Sequence, residues 1–240
     1  MDVREFFERI KGGLIVSCYA GPDYNAPFDN DVAICAMASS VARGGAVAVR
    51  ANLQHIPALK KVLDIPIIGI KKVYRNGEMR ITPTLREVEA LVEAGADAIA
   101  IDATNRPRFD DLSLEEFVQK VKSQYGIVVC GDISVYEEGV TAARCGVDAV
   151  FTTLSGYTPY SPSFGRLGEV PPPEPDFALI RRLAATLPIP VIAEGRINTP
   201  EKAAQALACG AYAVVVGTAI TNPEKITAMY CLALSTKRTS

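Results

Sequence analysis

The sequence predicts an α/β fold, a single (β/α)8 TIM barrel that forms one domain over residues 1–240. The length suits one large α/β domain, and half of the residues are apolar, so a sizeable core can form. Apolar runs alternate with amphipathic stretches eight times along the chain. Glycine-containing turns of similar sequence recur at intervals that fit two βα units each. Together these observations are typical of the barrel.

Each recurring turn joins a helical pattern to a β-branched apolar run through a glycine. The turns lie at 43–49, 93–101, 144–151 and 208–216. A glycine in this place is the left-handed residue that ends a helix, because it has no Cβ to clash. The glycines expected in that conformation are Gly44, Gly95, Gly146 and Gly210.

Eight apolar runs are the strand candidates, and most are continuous, as expected for parallel strands buried on both faces. They are 13–20, 46–51, 66–72, 98–104, 127–133, 149–155, 190–196 and 213–219. Amphipathic stretches such as 84–94 and 113–125 lie between them, and Ser113 with Glu116 forms a capping box. A doubly wound open sheet is the alternative, although no GxGxxG sequence follows the first strand. An α/β fold with fewer strands also stays open.

Composition limits the partners and the compartment. The net charge is −2 and no basic run occurs, so nucleic acid and a membrane surface are not expected partners. The amino terminus lacks the apolar stretch of a signal peptide, and no segment approaches the roughly 20 apolar residues of a membrane span. The six cysteines form no CxxC pair, which favours a reduced, cytoplasmic protein. Cys18 and Cys130 lie near strand ends and are the two considered for a chemical role.

Each strand candidate begins apolar and ends polar. In a barrel these ends converge on one rim, where the βα loops build the active site. Burying so many charges is costly unless they pair or face a polar ligand. The alternative is a ring of salt bridges that holds the barrel mouth together. The rim residues are Cys18, Tyr19, Arg50, Asn52, Lys71, Lys72, Asp102, Thr104, Asp132, Thr152, Thr153, Glu194, Gly195, Arg196, Gly217 and Thr218.

The loops after the last two strands predict a phosphate site. The segments 195–203 and 217–226 each place a glycine ahead of a helical pattern. Free backbone amides and the helix dipole favour an anion there. The predicted phosphate-binding residues are Gly195, Arg196, Gly217 and Thr218. This placement leads us to expect a small-molecule sugar phosphate as the partner.

The connection after the sixth strand, 155–177, is unusually long for a barrel. Its Tyr157 and Tyr160 are placed to cover the site, and an external excursion or a subunit contact is the alternative. A homodimer therefore stays open as an assembly.

His55 is the only histidine and precedes a helical pattern, so we expect a surface residue and no histidine-based catalysis. No cluster has metal-ligand spacing. A lysine and carboxylates beside a phosphate site favour proton transfer on a sugar phosphate.

Along nearly the whole chain the sequence resembles the N-acetylmannosamine-6-phosphate 2-epimerases. The most specific segments, in this order, are IDAT at 101–104, TTLSGYT at 152–158, IAEG at 192–195 and VVGTAIT at 215–221. Further matches are GGLIVSC at 12–18, PIIGIKK at 66–72, GDIS at 131–134 and EPDF at 174–177. The resemblance implies a barrel that interconverts N-acetylmannosamine 6-phosphate and N-acetylglucosamine 6-phosphate in sialic-acid breakdown, with no metal or organic cofactor.

The resemblance also implies site residues. The family's catalytic lysine ends the third strand and corresponds to Lys72, while Lys71 fills a position that is usually apolar. Its acidic partner corresponds to Glu194, the carboxylate after the fifth strand to Asp132, and the arginine ending the second strand to Arg50. The expected catalytic pair is thus Lys72 and Glu194. The expected substrate-binding residues are Arg50, Asp132, Tyr19, Thr153 and Tyr157.

The chain departs from the family pattern at two places. Tyr19 stands where the family usually has glutamine, and Asn222 stands where it usually has an arginine that helps to hold the anion. A related sugar-phosphate isomerase with a shifted substrate therefore stays open, as does a barrel that binds a sugar phosphate without catalysis. From the sequence, Asn222→Arg is expected to lower the KM for a 6-phosphorylated sugar.

Overall fold

The computed structural model describes residues 1–21, 24–161 and 174–235. Eight parallel strands close a barrel, which confirms the predicted fold class. They are β1 Leu14–Ser17, β2 Ala48–Asn52, β3 Ile67–Ile70, β6 Ala98–Asp102, β7 Val128–Asp132, β8 Ala149–Phe151, β9 Val191–Glu194 and β10 Ala213–Val216. A separate hairpin consists of β4 Lys72–Arg75 and β5 Glu78–Ile81. Around the barrel the order is β1-β10-β9-β8-β7-β6-β3-β2.

In the described part of the chain, one helix precedes the first barrel strand and the other helices follow barrel strands. They are α1 Val3–Ile10, α2 Asp31–Arg43, α3 Ile56–Leu59, α4 Leu85–Glu93, α5 Leu114–Tyr125, α6 Tyr136–Arg144, α7 Phe177–Thr186, α8 Pro200–Ala208, α9 Thr218–Thr221 and α10 Pro223–Ser235. The predicted capping box of Ser113 and Glu116 begins α5, and a second box of Thr84 and Glu87 begins α4. No helix in the described ranges is long and apolar enough to cross a membrane.

Alternate strand residues divide the core into two layers. Ile15, Ile68, Phe151 and Val215 pack together inside the barrel, and their strand neighbours pack outward against the helices. The helix α1 closes the amino-terminal end of the barrel. Its Phe6 and Ile10 join the interior cluster, and Tyr212, which precedes β10, donates a hydrogen bond of 3.0 Å to the Phe7 carbonyl. The opposite end, where the strands terminate, remains available for polar side chains.

The helix-ending glycines match the prediction in three turns of four. Gly95, Gly146 and Gly210 have φ of 90°, 91° and 97°. The prediction for Gly44 is wrong, because this residue keeps right-handed helical geometry and Gly45 takes the left-handed conformation with φ of 99°. Two consecutive glycines let α2 continue one residue further than the pattern indicated.

The third predicted strand, 66–72, divides into two elements in the structure. The barrel strand β3 ends at Ile70, and Lys72 begins the hairpin strand β4. Lys71 and Thr82 close the base of the hairpin, since the Thr82 amide donates to the Lys71 carbonyl at 2.7 Å. Asn76 and Gly77 both have positive φ and form its two-residue turn. Lys72 therefore leaves the barrel wall at a corner.

His55 is not the surface residue that the sequence predicted. Its side chain is 3% exposed, with Nδ1 2.8 Å from an Asp31 carboxylate oxygen and Nε2 3.1 Å from one of Asp29. These two aspartates flank the start of α2, which packs against α3, and so they cover the imidazole. A single polar residue carries no periodic signal that would have predicted this burial.

Candidate active site

Arg50 is the centre of a buried cluster at the carboxyl ends of the strands. Its Nη1 and Nη2 donate to the two oxygens of Asp132 at 2.9 and 2.5 Å. Nη1 also donates to Oε2 of Glu194 at 2.6 Å. The Arg50 and Asp132 side chains are almost fully buried, and that of Glu194 is 14% exposed. Residues that lie far apart in the sequence thus meet as predicted, because β2, β7 and β9 end at one rim.

Two threonines after β8 hold the acidic residues in place, Thr153 through their carboxylates and Thr152 through the backbone of Glu194. The Thr153 hydroxyl lies 2.6 Å from Oδ1 of Asp132 and 3.1 Å from Oε2 of Glu194. The Thr152 hydroxyl donates to the Glu194 carbonyl at 2.9 Å and accepts from the Glu194 amide at 3.0 Å. The backbone of Glu194 is therefore fixed beside the cluster. Salt bridges from Arg50 to Asp132 and Glu194 therefore hold the barrel mouth together, as the alternative predicts. The two acidic side chains in these salt bridges are also titratable groups.

Burial changes the proton affinities of the cluster. It raises the pKa of Glu194, the charge of Arg50 opposes this, and the nearby Asp132 carboxylate raises the pKa further. Burial alone would lower the pKa of Arg50, but the charges of Asp132 and Glu194 raise it. Arg50 therefore remains a cation, while Glu194 binds a proton more readily than an exposed glutamate does.

Lys72 lies beside this cluster, at the start of β4. Its ammonium is 4.0 Å from the centroid of the Tyr19 ring and 5.8 Å from that of Tyr24. Burial lowers the pKa of Lys72 to about 8, the positive charge of Arg50 lowers it as well, and the two carboxylates oppose the shift. About a tenth of the Lys72 side chains is therefore a neutral amine at pH 7, far more than for a lysine with the ordinary pKa.

The loop after β1 contributes residues that no sequence motif indicates. The Tyr24 hydroxyl lies 2.7 Å from Oγ1 of Thr218, and Asn25 donates to the Thr221 carbonyl at 2.9 Å. These bonds join the first βα loop to the last. Tyr24 lies on the same rim as the predicted residues, so the strand-end argument could have included it. Its loop carries no apolar or charged pattern that singles it out.

The two predicted phosphate loops differ in geometry. Gly217 directly precedes α9, and a Cβ at that position would lie 3.3 Å from the Ser17 side chain. Gly195 has φ of 109°, a conformation that favours glycine, but α8 begins only at Pro200 with Thr199 as its cap. Gly217 therefore lies directly at the amino terminus of α9, whereas several residues separate Gly195 from the amino terminus of α8.

Arg196 and Tyr157 lie together at the mouth. The Arg196 guanidinium donates to the carbonyls of Glu174, at 2.7 Å, and of Ser155. Burial raises the pKa of Tyr157, and the charge of Arg196 opposes the shift. Tyr160 is 49% exposed. The middle of the long connection, 162–173, lies outside the described residues.

Other rim residues serve the protein scaffold. Asp102 pairs with Arg106 of its own loop at 2.5 Å. Burial raises the pKa of the Cys18 thiol to about 12 and that of Cys130 as well, which makes both poor nucleophiles. In the described part of the chain, no group of three or more His, Cys, Asp or Glu side chains has the arrangement of a metal site.

Comparison with known proteins decides the family. Residues 34–236 match the profile of the family described as "Putative N-acetylmannosamine-6-phosphate epimerase". The chain belongs to this family. A relative from Caldanaerobacter subterraneus is 46% identical over 98% of this chain and 97% of its own length. Another from Clostridioides difficile is 42% identical over 95% of this chain and 98% of its own. Both are described as "Putative N-acetylmannosamine-6-phosphate 2-epimerase".

One solved structure agrees with the family assignment, and a second shares the barrel fold. The N-acetylmannosamine-6-phosphate 2-epimerase from Clostridium perfringens superposes with a TM-score of 0.86 at 41% identity, over 94% of each chain. A thiamine phosphate pyrophosphorylase from Pyrococcus furiosus gives a TM-score of 0.61 at 16% identity, over 90% of this chain and 91% of its own. The second likeness concerns the barrel fold alone.

Proposed function

We propose that this protein interconverts N-acetylmannosamine 6-phosphate and N-acetylglucosamine 6-phosphate by moving a proton at C2, as a step in the breakdown of sialic acids and amino sugars. Membership in the epimerase family supports the substrate class. The observation that carries the proposal is that Lys72, with its lowered pKa, lies beside Arg50, Asp132 and Glu194 at one barrel mouth.

The chemistry needs a base that is free near neutral pH. The C2 proton of the open-chain sugar is weakly acidic because it is adjacent to the C1 carbonyl. The neutral amine of Lys72 takes this proton, the C2–H bond breaks, and its electrons move to the carbonyl oxygen as an enolate. A base with a pKa near the working pH is efficient in this step. A pKa of about 8 places Lys72 in that range.

Inversion requires a proton on the opposite face of C2. Glu194 has a raised pKa and donates from its carboxylic acid form, so that a new C2–H bond forms with the other configuration. The product then has an aldehyde at C1 again, and exchange with solvent restores the Lys72 amine and the Glu194 acid. In the reverse direction the two groups exchange roles. No metal or organic cofactor takes part in these steps.

The remaining residues of the cluster bind and polarise the sugar. Arg50 is a permanent cation held by Asp132 and by an oxygen of Glu194, and it stabilises the enolate oxygen in a site shielded from water. Asp132, Thr153, Tyr19 and Tyr157 contact the hydroxyl and acetamido groups. The phosphate binds at the backbone amides of Gly195 and Gly217, with Arg196 and Thr218 beside it.

The proposal is tested with purified protein and N-acetylmannosamine 6-phosphate in deuterated water, followed by proton NMR. We expect the C2 proton signal to disappear and N-acetylglucosamine 6-phosphate labelled at C2 to form. Lys72→Ala serves as the control for exchange catalysed by the buffer. Binding without exchange would identify a non-catalytic sugar-phosphate barrel. Exchange only with a different sugar phosphate would identify a shifted substrate, for which Tyr19 and Asn222 are the positions to examine.

We also propose that the protein is a homodimer that buries α10. Every residue of this helix is at least partly exposed, and Met229, Tyr230 and Leu234 are 59%, 71% and 67% exposed. Exposed apolar side chains clustered on one helix mark an association surface, and a second copy of the chain is the occupant proposed here. Sedimentation should give a dimer, and Tyr230→Glu should shift it toward monomer. A monomeric wild type would contradict this assembly.

We place the protein in the cytoplasm. Its six cysteines are all free thiols, and Cys231 is exposed. Free exposed thiols persist where the compartment is reducing. Fractionation of cells that express the protein tests the location, and recovery in a secreted or envelope fraction would contradict it.

A further inference from the structure

We propose that Lys225 binds the phosphate group of the substrate and that Asn222 supports it by capping the helix that carries it. This inference rests on the proposed function, because it adds a cation to the same phosphate site. It was not evident from the sequence, where Asn222 indicated only the absence of a charge. In the structure the charge lies three residues further along the chain.

Asn222 has a structural role that fixes the position of Lys225. Its side chain is buried, and Oδ1 accepts a hydrogen bond of 3.0 Å from the Lys225 amide. The Ile226 amide donates to the Asn222 carbonyl at 3.1 Å. This is the pattern of an asparagine cap at the start of α10. The first turn of the helix, with Lys225 in it, is therefore fixed relative to the loop that follows β10.

The Lys225 ammonium extends toward the phosphate loop. It lies 5.0 Å from the centroid of the Tyr24 ring. The hydroxyl of the same tyrosine lies 2.7 Å from Oγ1 of Thr218, which directly follows Gly217. Lys72 lies 5.8 Å from that ring. The Tyr24 ring therefore has the catalytic lysine and Lys225 near it, and its hydroxyl reaches the predicted anion loop.

Charge balance favours Lys225 as the phosphate cation. Within residues 1–21, 24–161 and 174–235, no carboxylate forms an ion pair with its ammonium. Its positive charge is one of the causes that lower the pKa of Lys72, so its field reaches the catalytic group. Arg196, the cation that the sequence predicts for the phosphate, already donates Nε and Nη1 to the Glu174 and Ser155 carbonyls. Lys225 is also exposed on a flexible stem, so it can move to meet a phosphate dianion.

The test measures binding of N-acetylglucosamine 6-phosphate and of inorganic phosphate by calorimetry for the wild type, Lys225→Met, Lys225→Arg and Lys120→Met. Lys120 is an exposed lysine on the outer helix α5 and provides the matched control. We expect Lys225→Met to weaken both ligands about 10-fold, as the loss of a charge-assisted contact does. Lys225→Arg should stay within about 2-fold of the wild type, because it keeps the charge.

Kinetics then separate binding from chemistry. Lys225→Met also removes a charge that lowers the pKa of Lys72, so its kinetics are compared with the wild type over the full pH range, at the optimum of each enzyme. There the KM for the 6-phosphate should rise by about the same factor while kcat changes little, because a contact remote from C2 acts on ground state and transition state alike. Unchanged affinity in Lys225→Met, or equal losses in Lys225→Met and Lys225→Arg, overturns the role of Lys225. If the wild type binds these anions but catalyses no C2 exchange, the proposed function fails, and the binding series still decides whether Lys225 holds the phosphate.

Discussion

The ammonium of Lys72 lies 4.0 Å from the centre of the Tyr19 ring, at the corner where the barrel strand gives way to the hairpin. Lys71 belongs to the connection between β3 and β4, and its backbone is bonded to Thr82. Adjacent lysines thus have different environments. Lys72 is held against an aromatic face beside the buried carboxylates, whereas Lys71 closes the base of the hairpin.

Replacing each lysine separately tests which one is the base. Lys72→Ala should abolish C2 exchange, because no other amine with a lowered pKa lies beside the carboxylates in the described residues. Lys71→Ala should retain most of the activity, since the contact of Lys71 with Thr82 is made by its backbone. Deuterium exchange at C2 measures both. Loss of activity in Lys71→Ala alone would reverse the assignment.

The pH dependence of kcat/KM should report the titration of Lys72. The protonated ammonium of Lys72 cannot accept the C2 proton, and ionised Glu194 cannot donate one, so kcat/KM should be bell-shaped, with one of its two limbs centred near 8. At the acid end of this profile the rate should fall roughly 10-fold for each pH unit. The measurement is a set of initial rates across a pH range that brackets both limbs. A limb centred near 10.5, the ordinary value for lysine, with none near 8, would mean that Lys72 is solvated during catalysis.

Much of the barrel and its rim could be predicted because the signals are local. Each barrel strand is a short apolar run, and Arg50, Asp132 and Glu194 stand at or near strand ends, where topology brings them together. Asn76 and Gly77 are a hairpin-turn pair, but the apolar run at 66–72 is continuous and predicts one strand. Tyr24 reaches Thr218 across 194 residues of sequence. No local pattern reports a contact of that separation.

Glu194→Gln should reduce kcat by about 10²–10⁴-fold, because the amide keeps the shape of the side chain but cannot exchange a proton. The Arg50 pair with Asp132 remains in this variant, so the fold should persist, as circular dichroism can check. Glu89→Gln, an exposed glutamate of α4, is the matched control and should behave as the wild type. An unimpaired Glu194→Gln enzyme would remove Glu194 from the mechanism and leave Lys72 as the only proton carrier.

Asn222→Arg separates the sequence-based expectation from the structural one. From the sequence, an arginine at 222 supplies a missing phosphate contact and lowers KM. In the structure the position is buried and caps α10, so the arginine should remove the cap and disturb Lys225. We therefore expect Asn222→Arg to raise KM and to lower the free energy of unfolding by about 1 kcal/mol, and Asn222→Ala to show a similar loss of stability.

Asn222→Ser is the control for this prediction, because serine also caps helices and should preserve both KM and stability. Urea unfolding measures the stability of the three variants, and steady-state kinetics with the 6-phosphate measures KM. A lower KM in Asn222→Arg would mean that the side chain at 222 reaches the phosphate itself. In that case the anion site extends along the loop before α10, and Lys225 lies outside it.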